Sequence, residues 1–149
     1  MLIREAAEGD LLPLLELYTQ LHNNTMPEIN ITLNDLWRGI MADNNHHIIV
    51  GTNENLIVSS CVLIIVPNLT RGQRPYALIE NVITHEKYRN KGYATAVLNY
   101  ARELAAKDNC YKIMLMTGSK EESTYSFYEK AGYNRNDKTA FIQWLHVPN

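Results

Sequence analysis

Apolar residues recur along this chain with two different periods, and the period changes from segment to segment. Residues 2–6 read as a short strand. Leu11, Leu14, Leu15, Tyr18 and Leu21 then share one face of a 3.6-residue repeat, with Asp10 placed to cap that helix. Residues 22–46 are the least regular stretch, rich in Asn and His, with a second helix predicted around Leu33 to Met41. His46 to Gly51 and Leu56 to Val66 read as paired strands around Thr52-Asn-Glu-Asn55, a turn-forming sequence. A second hairpin tip, Asn68 to Pro75, leads into an apolar strand from Tyr76 to Thr84. A helix starting at Gly92 then places Ala94, Val97, Leu98, Ala101, Leu104 and Ala105 on one stripe. A strand from Tyr111 to Met116 and a helix from Ser123 to Ala131 follow, the helix with Ser123 as N-cap and Gly132 just past its end. Lys138 to Leu145 is the last predicted strand. Strands that precede and separate the later helices predict an α/β (α+β) domain, a mixed sheet with helices on both faces.

The junction between the 76–84 strand and the following helix carries the first chemical signal. Arg89, Gly92 and Ala94 fit the pattern Arg/Gln-x-x-Gly-x-Gly/Ala. Small residues there let a ligand approach the backbone, and the opening turn of a helix offers unpaired N–H groups and a positive dipole end. Both favour a phosphate. No Gly-x-x-x-x-Gly-Lys-Ser/Thr occurs, and no Gly-x-Gly-x-x-Gly follows the first strand. Taken alone, the same six residues also describe a basic turn entering a surface helix.

A second motif narrows the choice. Phe127-Tyr-Glu-Lys-Ala-Gly-Tyr133 follows the loop by roughly forty residues, after a buried-strand pattern and a polar connection. Together the two motifs resemble the GNAT superfamily of acyl-CoA-dependent N-acyltransferases. Ile3-Arg4-Glu5-Ala6 with Gly9-Asp10-Leu11 is similar to that family's first strand and helix, so the likeness spans nearly the whole chain. The resemblance implies a mostly antiparallel central sheet flanked by helices, and acetyl-CoA as co-substrate, with no metal. It implies a pyrophosphate site on Arg89, Asn90, Lys91, Gly92, Tyr93, Ala94 and Thr95, and a pantetheine arm along the backbone of Val82, Ile83 and Thr84. An N–H of Val82 or Ile83 is a candidate donor to the reaction's oxyanion. The Tyr of the Phe-Tyr pair, Tyr128, would contact the coenzyme and protonate the departing thiolate, since a phenol with pKa near ~10 keeps its proton at neutral pH. The alternative for Tyr128 is an amphipathic anchor of a short helix. Many family members place an Asn shortly before the Phe-Tyr pair; residues 119–126 hold none here, with Glu121 or Thr124 in that region.

Glu80 is the candidate base. A carboxylate inside Ala77-Leu-Ile-Glu-Asn-Val-Ile is costly to bury unpaired, and burial would raise its pKa towards usefulness. Facing solvent, or pairing with a cation such as Arg4, are the structural alternatives, and a water or backbone group is the alternative base. The acceptor amine is expected near residues 22–46, among groups such as Trp37, His22 and Tyr76. Arg71 and Arg74 in the hairpin tip could serve an acidic acceptor or a partner subunit, or merely solubilise the tip. The segments around Cys110-Tyr-Lys-Ile, Phe-Tyr-Glu-Lys and Ile79-Glu80 are similar to the amino-sugar-phosphate N-acetyltransferase branch.

Composition removes other classes. With 149 residues, 46% hydrophobic and 20% charged, the chain is expected to form one domain, residues 1–149, with its own core. A net charge of −2 without a basic run gives nucleic acid or an anionic membrane surface no electrostatic hold. The longest apolar run, Cys61 to Val66, is too short to span a bilayer, and Met1-Leu-Ile-Arg-Glu is no signal peptide. Cys61 and Cys110 read as buried free thiols, which fits a cytoplasmic protein, and the triplets beginning at Asn23, Asn30 and Asn68 then carry no meaning as glycosylation sites. His46 and His47 lack a third ligand, so no metal is expected. The expected activity is acetyl transfer to a primary amine of a small molecule or amino sugar. A protein or peptide amine acetyltransferase and a non-catalytic coenzyme-A-binding regulatory module are the alternatives. Phe141-Ile-Gln-Trp-Leu145, apolar in so small a domain, adds the expectation of a homodimer.

Overall fold

Five segments with strand periodicity join one sheet in the order β1-β2-β3-β4-β5 in a computed structural model, which describes residues 1–22 and 24–146. Asn23, the start of one Asn-x-Thr triplet, lies outside the described residues. The strands are β1 (Leu2–Glu5), β2 (His46–Asn53), β3 (Leu56–Val66), β4 (Tyr76–Thr84) and β5 (Ile113–Leu115). Neighbours from β1 to β4 run antiparallel, and β5 runs parallel to β4. The helices are α1 (Leu11–Tyr18), α2 (Ile31–Ala42), α3 (Tyr93–Lys107) and α4 (Glu122–Lys130). This is the mixed, mostly antiparallel α+β architecture that the sequence predicts. The chain divides into two compact units, Met1–Leu115 and Met116–Asn149.

Period-two alternation sends β2 and β3 side chains to opposite faces, and each face finds helices. Ile48, Val50 and Val62 pack with Leu14 of α1 and Trp37 of α2. On the other face Cys61 reaches α3, its thiol 3.6 Å from the Val97 carbonyl. Gly51 leaves room there: a Cβ would stand 3.1 Å from Ile3 and 3.4 Å from Val97. The α3 stripe is buried as its spacing demands, at Val97, Leu98, Ala101 and Ala105. Each such aliphatic side chain, fully buried, contributes roughly 1.5–3 kcal/mol. Burial also pushes the Cys61 thiol up to about 12, so it stays neutral and inert.

Several local expectations change. Asp10 does not cap α1. Its carboxylate holds the Arg4 guanidinium at 2.5 and 3.1 Å and accepts from the Ala7 N–H at 2.7 Å. α2 is longer than its apolar spacing shows, because the Asn30 side chain accepts from the Leu33 N–H and starts the helix early. α4 begins at Glu122 with Glu121 at its N-cap position, not Ser123. Cys110 is half-buried where a buried thiol was expected. β5 keeps only three of the six residues from Tyr111 to Met116, since pairing to β4 stops at Ile79 opposite Leu115. Lys138–Leu145 forms no strand at all; its periodicity reports a propensity, and a strand also needs a ladder partner.

The Arg4–Asp10 clasp ties β1 to the turn before α1. Hydrogen bonding from Arg4, opposed by partial burial, lowers the Asp10 pKa below the usual carboxylate value. Its contribution to stability is therefore complete above pH ~3.9 and is lost as pH falls through the lower native value. Asp10→Asn should destabilise the protein by roughly 1–2 kcal/mol at pH 7. In urea unfolding at pH 7 and pH 3, the gap between variant and parent should narrow at the lower pH. A gap independent of pH would show that the carboxylate's charge is not what matters.

Candidate functional site

The loop after β4 is built largely from its own residues. β4 ends at Thr84, and the His85 ring nitrogen accepts from the Lys87 N–H at 3.2 Å to start a tight turn over Glu86–Tyr88. Arg89 folds back, its Nε donating to the Thr84 carbonyl at 3.2 Å. Lys91 donates to the Lys87 carbonyl at 2.9 Å and lies 5.1 Å from the centre of the Tyr88 ring. The charge of both cations stays beside the loop, but their first task is to shape it. Asn90 (φ 59°) and Gly92 (φ 84°) take left-handed conformations, which turn the chain into α3. Tyr93 anchors the helix start: its side chain is buried, its hydroxyl donates to Asn53 at 3.1 Å, and Tyr88 packs edge-on at 6.0 Å. Tyr93 can therefore meet a ligand only through its backbone.

The consequence is a run of free donors. The first N–H to be satisfied beyond Arg89 is that of Ala96, which donates to Gly92 at 3.0 Å; the N–H groups from Asn90 to Thr95 find no acceptor among the described residues. Open space surrounds the position where Gly92 lacks a Cβ. Unpaired donors, a helix N-terminus and two nearby cations form a cradle for a di-anion such as a pyrophosphate.

β4 contributes an open edge. Ser60 pairs with Ile83 and Val62 with Glu80, so Cys61 faces both Asn81 and Val82 across a bulge at Asn81, whose φ is 50°. Pairing with β5 covers only Ala77 to Ile79. From Glu80 to Thr84 that edge of β4 has no strand partner among the described residues, and an extended ligand arm could hydrogen-bond along it. Ser59 holds the end in place, donating to the Ile83 carbonyl at 2.9 Å with its oxygen 2.8 Å from the Thr84 hydroxyl. Neither the bulge nor the Ser59 clasp is readable from apolar patterning; the Ser59-Ser60 pair inside an apolar strand was the available signal.

Glu80 sits at the start of this open edge and is exposed, without an ion pair among the described residues. The burial expected to tune its carboxyl is absent, and Arg4 is committed to Asp10. What remains for Glu80 is position: a solvated carboxylate beside the bulge.

In the second unit, α4 displays Tyr128 half-buried in an aromatic group. Its ring centre lies 5.0 Å from that of Phe127 and 6.2 Å from that of Tyr133, the latter edge-on at 86°. The Tyr133 N–H donates to the Tyr128 carbonyl at 3.1 Å, and Gly132 (φ 98°) provides the reversal that returns Tyr133 beneath the ring. Arg135 clamps the same helix, pairing with Glu122 at 2.9 Å and Glu129 at 3.1 Å and lying 5.1 Å from the Tyr125 ring centre. Arg135 had no sequence signal, because its partners lie on a helix face set only by the fold. Thr124, beside the position where many relatives carry Asn, accepts from the Ser119 hydroxyl at 3.0 Å.

Two of the expected acceptor residues are engaged within the fold. Trp37 belongs to the core and donates to the Glu8 carbonyl at 3.0 Å, while Tyr76 packs edge-on against Tyr111 at the far end of β4 from Thr84. Arg74 donates to the carbonyls of Asn109 and Cys110 at 3.1 Å each, and Arg71 lies 5.7 Å from the Tyr111 ring centre, so both arginines work within the fold. His47 pairs with Glu5 at 3.0 Å, and the described residues contain no group of three or more potential metal ligands. A hollow of about 570 Å³ lined by Glu8, Asn34, Trp37, Arg38 and Met41 shares no residue with the loop. No helix among the described residues is long and apolar enough to cross a membrane.

Comparison with known proteins points the same way as the loop. The model of the acetyltransferase (GNAT) family matches residues 11–133. A glucosamine 6-phosphate N-acetyltransferase of Trypanosoma brucei brucei is 34% identical over 82 residues, 55% of this chain; the matched part spans only about half (54%) of that relative. A solved structure from Agrobacterium tumefaciens str. C58, named as a proposed acetyltransferase, is 39% identical with a TM-score of 0.88, covering 97% of this chain and 100% of that one. A structure from Bacillus halodurans C-125, named as a transcriptional regulator, is 26% identical with a TM-score of 0.84, covering 96% of this chain and 99% of that one.

Proposed function

The chain belongs to the acetyltransferase (GNAT) family; on that premise we propose that it is an N-acetyltransferase, moving the acetyl group of acetyl-CoA directly to a primary amine of a small molecule, of the amino-sugar class. The cradle of free N–H groups from Asn90 to Thr95 carries the coenzyme half of this reading. The amino-sugar half is supported by the name of the Trypanosoma relative. The family match crosses the division between the two units, which supports one functional domain over residues 1–149. Two free thiols fit a cytoplasmic setting.

Three physical demands assign the residues. The pyrophosphate needs fixed donors, which the loop N–H groups supply with Arg89 and Lys91 beside them. The thioester carbonyl gains negative charge as the amine adds, and an N–H of Val82 or Ile83 at the bulged edge of β4 is its donor. Protons must then move: the amine, with a pKa near ~10.4 if it resembles lysine, gives one up, and the thiolate gains one from the Tyr128 hydroxyl. Glu80 takes the amine's proton directly or through a water. Its exposure makes the water route the natural one.

Glu80→Gln isolates that last assignment. It should lower turnover on the order of 10²-fold at neutral pH. Raising the pH should recover part of the loss, because the acceptor then arrives deprotonated. A pH profile parallel to that of the parent would show that a water or backbone group is the base.

The overall reading is tested by a library of amines in an assay that detects free thiol released from acetyl-CoA. Amino sugars and their phosphates should be acetylated, and peptides should not. The name of the Bacillus structure supports a second reading, a coenzyme-A-binding regulatory module, and tight coenzyme binding with no turnover on any amine would favour it.

A further inference from the structure

The turn that opens the loop after β4 is held by a side chain 66 positions away in sequence. The Gln20 carboxamide oxygen accepts from the Glu86 N–H at 3.0 Å. Glu86 in turn supports the rest of the turn. Its carbonyl accepts from the Arg89 N–H at 3.5 Å, and the Arg89 side chain folds back onto the Thr84 carbonyl at 3.2 Å. Fixing Glu86 therefore helps to fix where Arg89 stands, and so where the run of free N–H groups from Asn90 begins.

The end of α1 gives that bond a firm base. Leu14 and Leu17 seat the helix, exposed by only 2% and 3%. Helical bonding runs on past Tyr18: the Thr19 N–H donates to the Leu15 carbonyl at 3.2 Å, and the Gln20 N–H to the Leu17 carbonyl at 3.1 Å. The Thr19 hydroxyl adds a bond to the Glu16 carbonyl at 2.7 Å. Gln20 itself is half-buried, so its side chain has less freedom to lose when it holds Glu86.

We propose that Gln20 is a positioning residue for the coenzyme loop: by holding Glu86, it keeps the N–H cradle in its binding arrangement before the coenzyme arrives. In this role Gln20 touches no phosphate and acts through Glu86 and Arg89. A loop already ordered when its ligand arrives loses less conformational entropy on binding, so the bond is read out as affinity. This inference rests on the coenzyme half of the function proposed above.

Isothermal calorimetry with coenzyme A, joined to amide hydrogen exchange of the free protein, tests it. Gln20→Met keeps the length of the side chain and removes the acceptor. It should weaken coenzyme A binding roughly 3–10-fold, the range that one hydrogen bond supplies, with the loss carried by entropy. Amides of Glu86 to Arg89 should exchange faster in the free variant, while the slowest core amides, which report global stability, should match the parent. Gln20→Glu can accept the same N–H. In roughly 0.5 M salt, where its added charge is screened, it should bind coenzyme A as the parent does.

Unchanged affinity in Gln20→Met overturns the proposal. So does a loss accompanied by faster exchange throughout the core, or one that Gln20→Glu fails to recover; Gln20 would then act only through the stability of α1. A parent that does not bind coenzyme A removes the coenzyme reading and this inference with it. A parent that binds, with variants that bind equally well, removes this inference alone.

Discussion

Tyr128→Phe is expected to lower turnover by roughly 10²–10⁴-fold while leaving acetyl-CoA affinity nearly unchanged. The substitution keeps the ring that packs beside Phe127 and Tyr133 and removes only the hydroxyl. The packing of the ring in α4 is therefore preserved. On the proposed mechanism, what disappears is the proton offered to the departing thiolate. High pH cannot replace that proton, so the variant should show no recovery on raising the pH, in contrast to Glu80→Gln. Steady-state kinetics across pH, with coenzyme affinity measured by calorimetry, separates the two. Wild-type turnover in both variants, on a verified acceptor, would mean that positioning alone drives the transfer.

Gly92→Glu should abolish detectable acetyl-CoA binding, a loss of more than ~10²-fold, in a protein that still folds. At φ 84° any side chain other than glycine is strained, at a cost of roughly 1–3 kcal/mol. A Cβ meets nothing within 4 Å, so the added group is not expelled by the protein; it stands in the space proposed for the ligand. The carboxylate also places negative charge where two phosphates would sit. A carboxylate near the first turn of α3 is favourable for the helix itself, which supports folding of the variant. Gly92→Ala measures the strain alone and should weaken binding far less. Undiminished affinity in a folded Gly92→Glu variant, by calorimetry, would remove the pyrophosphate from this loop.

The most legible parts of the sequence were those whose chemistry is local. The α3 stripe, the β2–β3 hairpin, the glycines at the start of α3 and the end of α4, and the Phe127-Tyr128…Tyr133 cluster all depend on residues within a few positions of one another. Their spacing is enough, because helix turns and strand pleats convert spacing into direction. The cap predicted at Asp10 failed because other partners competed. Asp10 had the right position for an N-cap, but the Arg4 guanidinium and the Ala7 N–H hold its carboxylate more strongly than a helix N–H would.

By itself, then, the sequence determined the element order as far as α4, the two-faced core and the turn from β4 into α3, since these follow from hydrophobic period and from backbone conformations that few residues permit. Tertiary structure alone decided the rest. It put a bulge at Asn81 and ended the β4–β5 pairing at Ile79, which together open the β4 edge beside Glu80. It left Glu80 solvated despite apolar neighbours, committed Trp37 and Arg74 to the fold, and kept residues 138–145 out of any ladder among the described residues. Pairing and burial are properties of two segments at once, and a single segment's pattern cannot state which partner, or which copy, completes it.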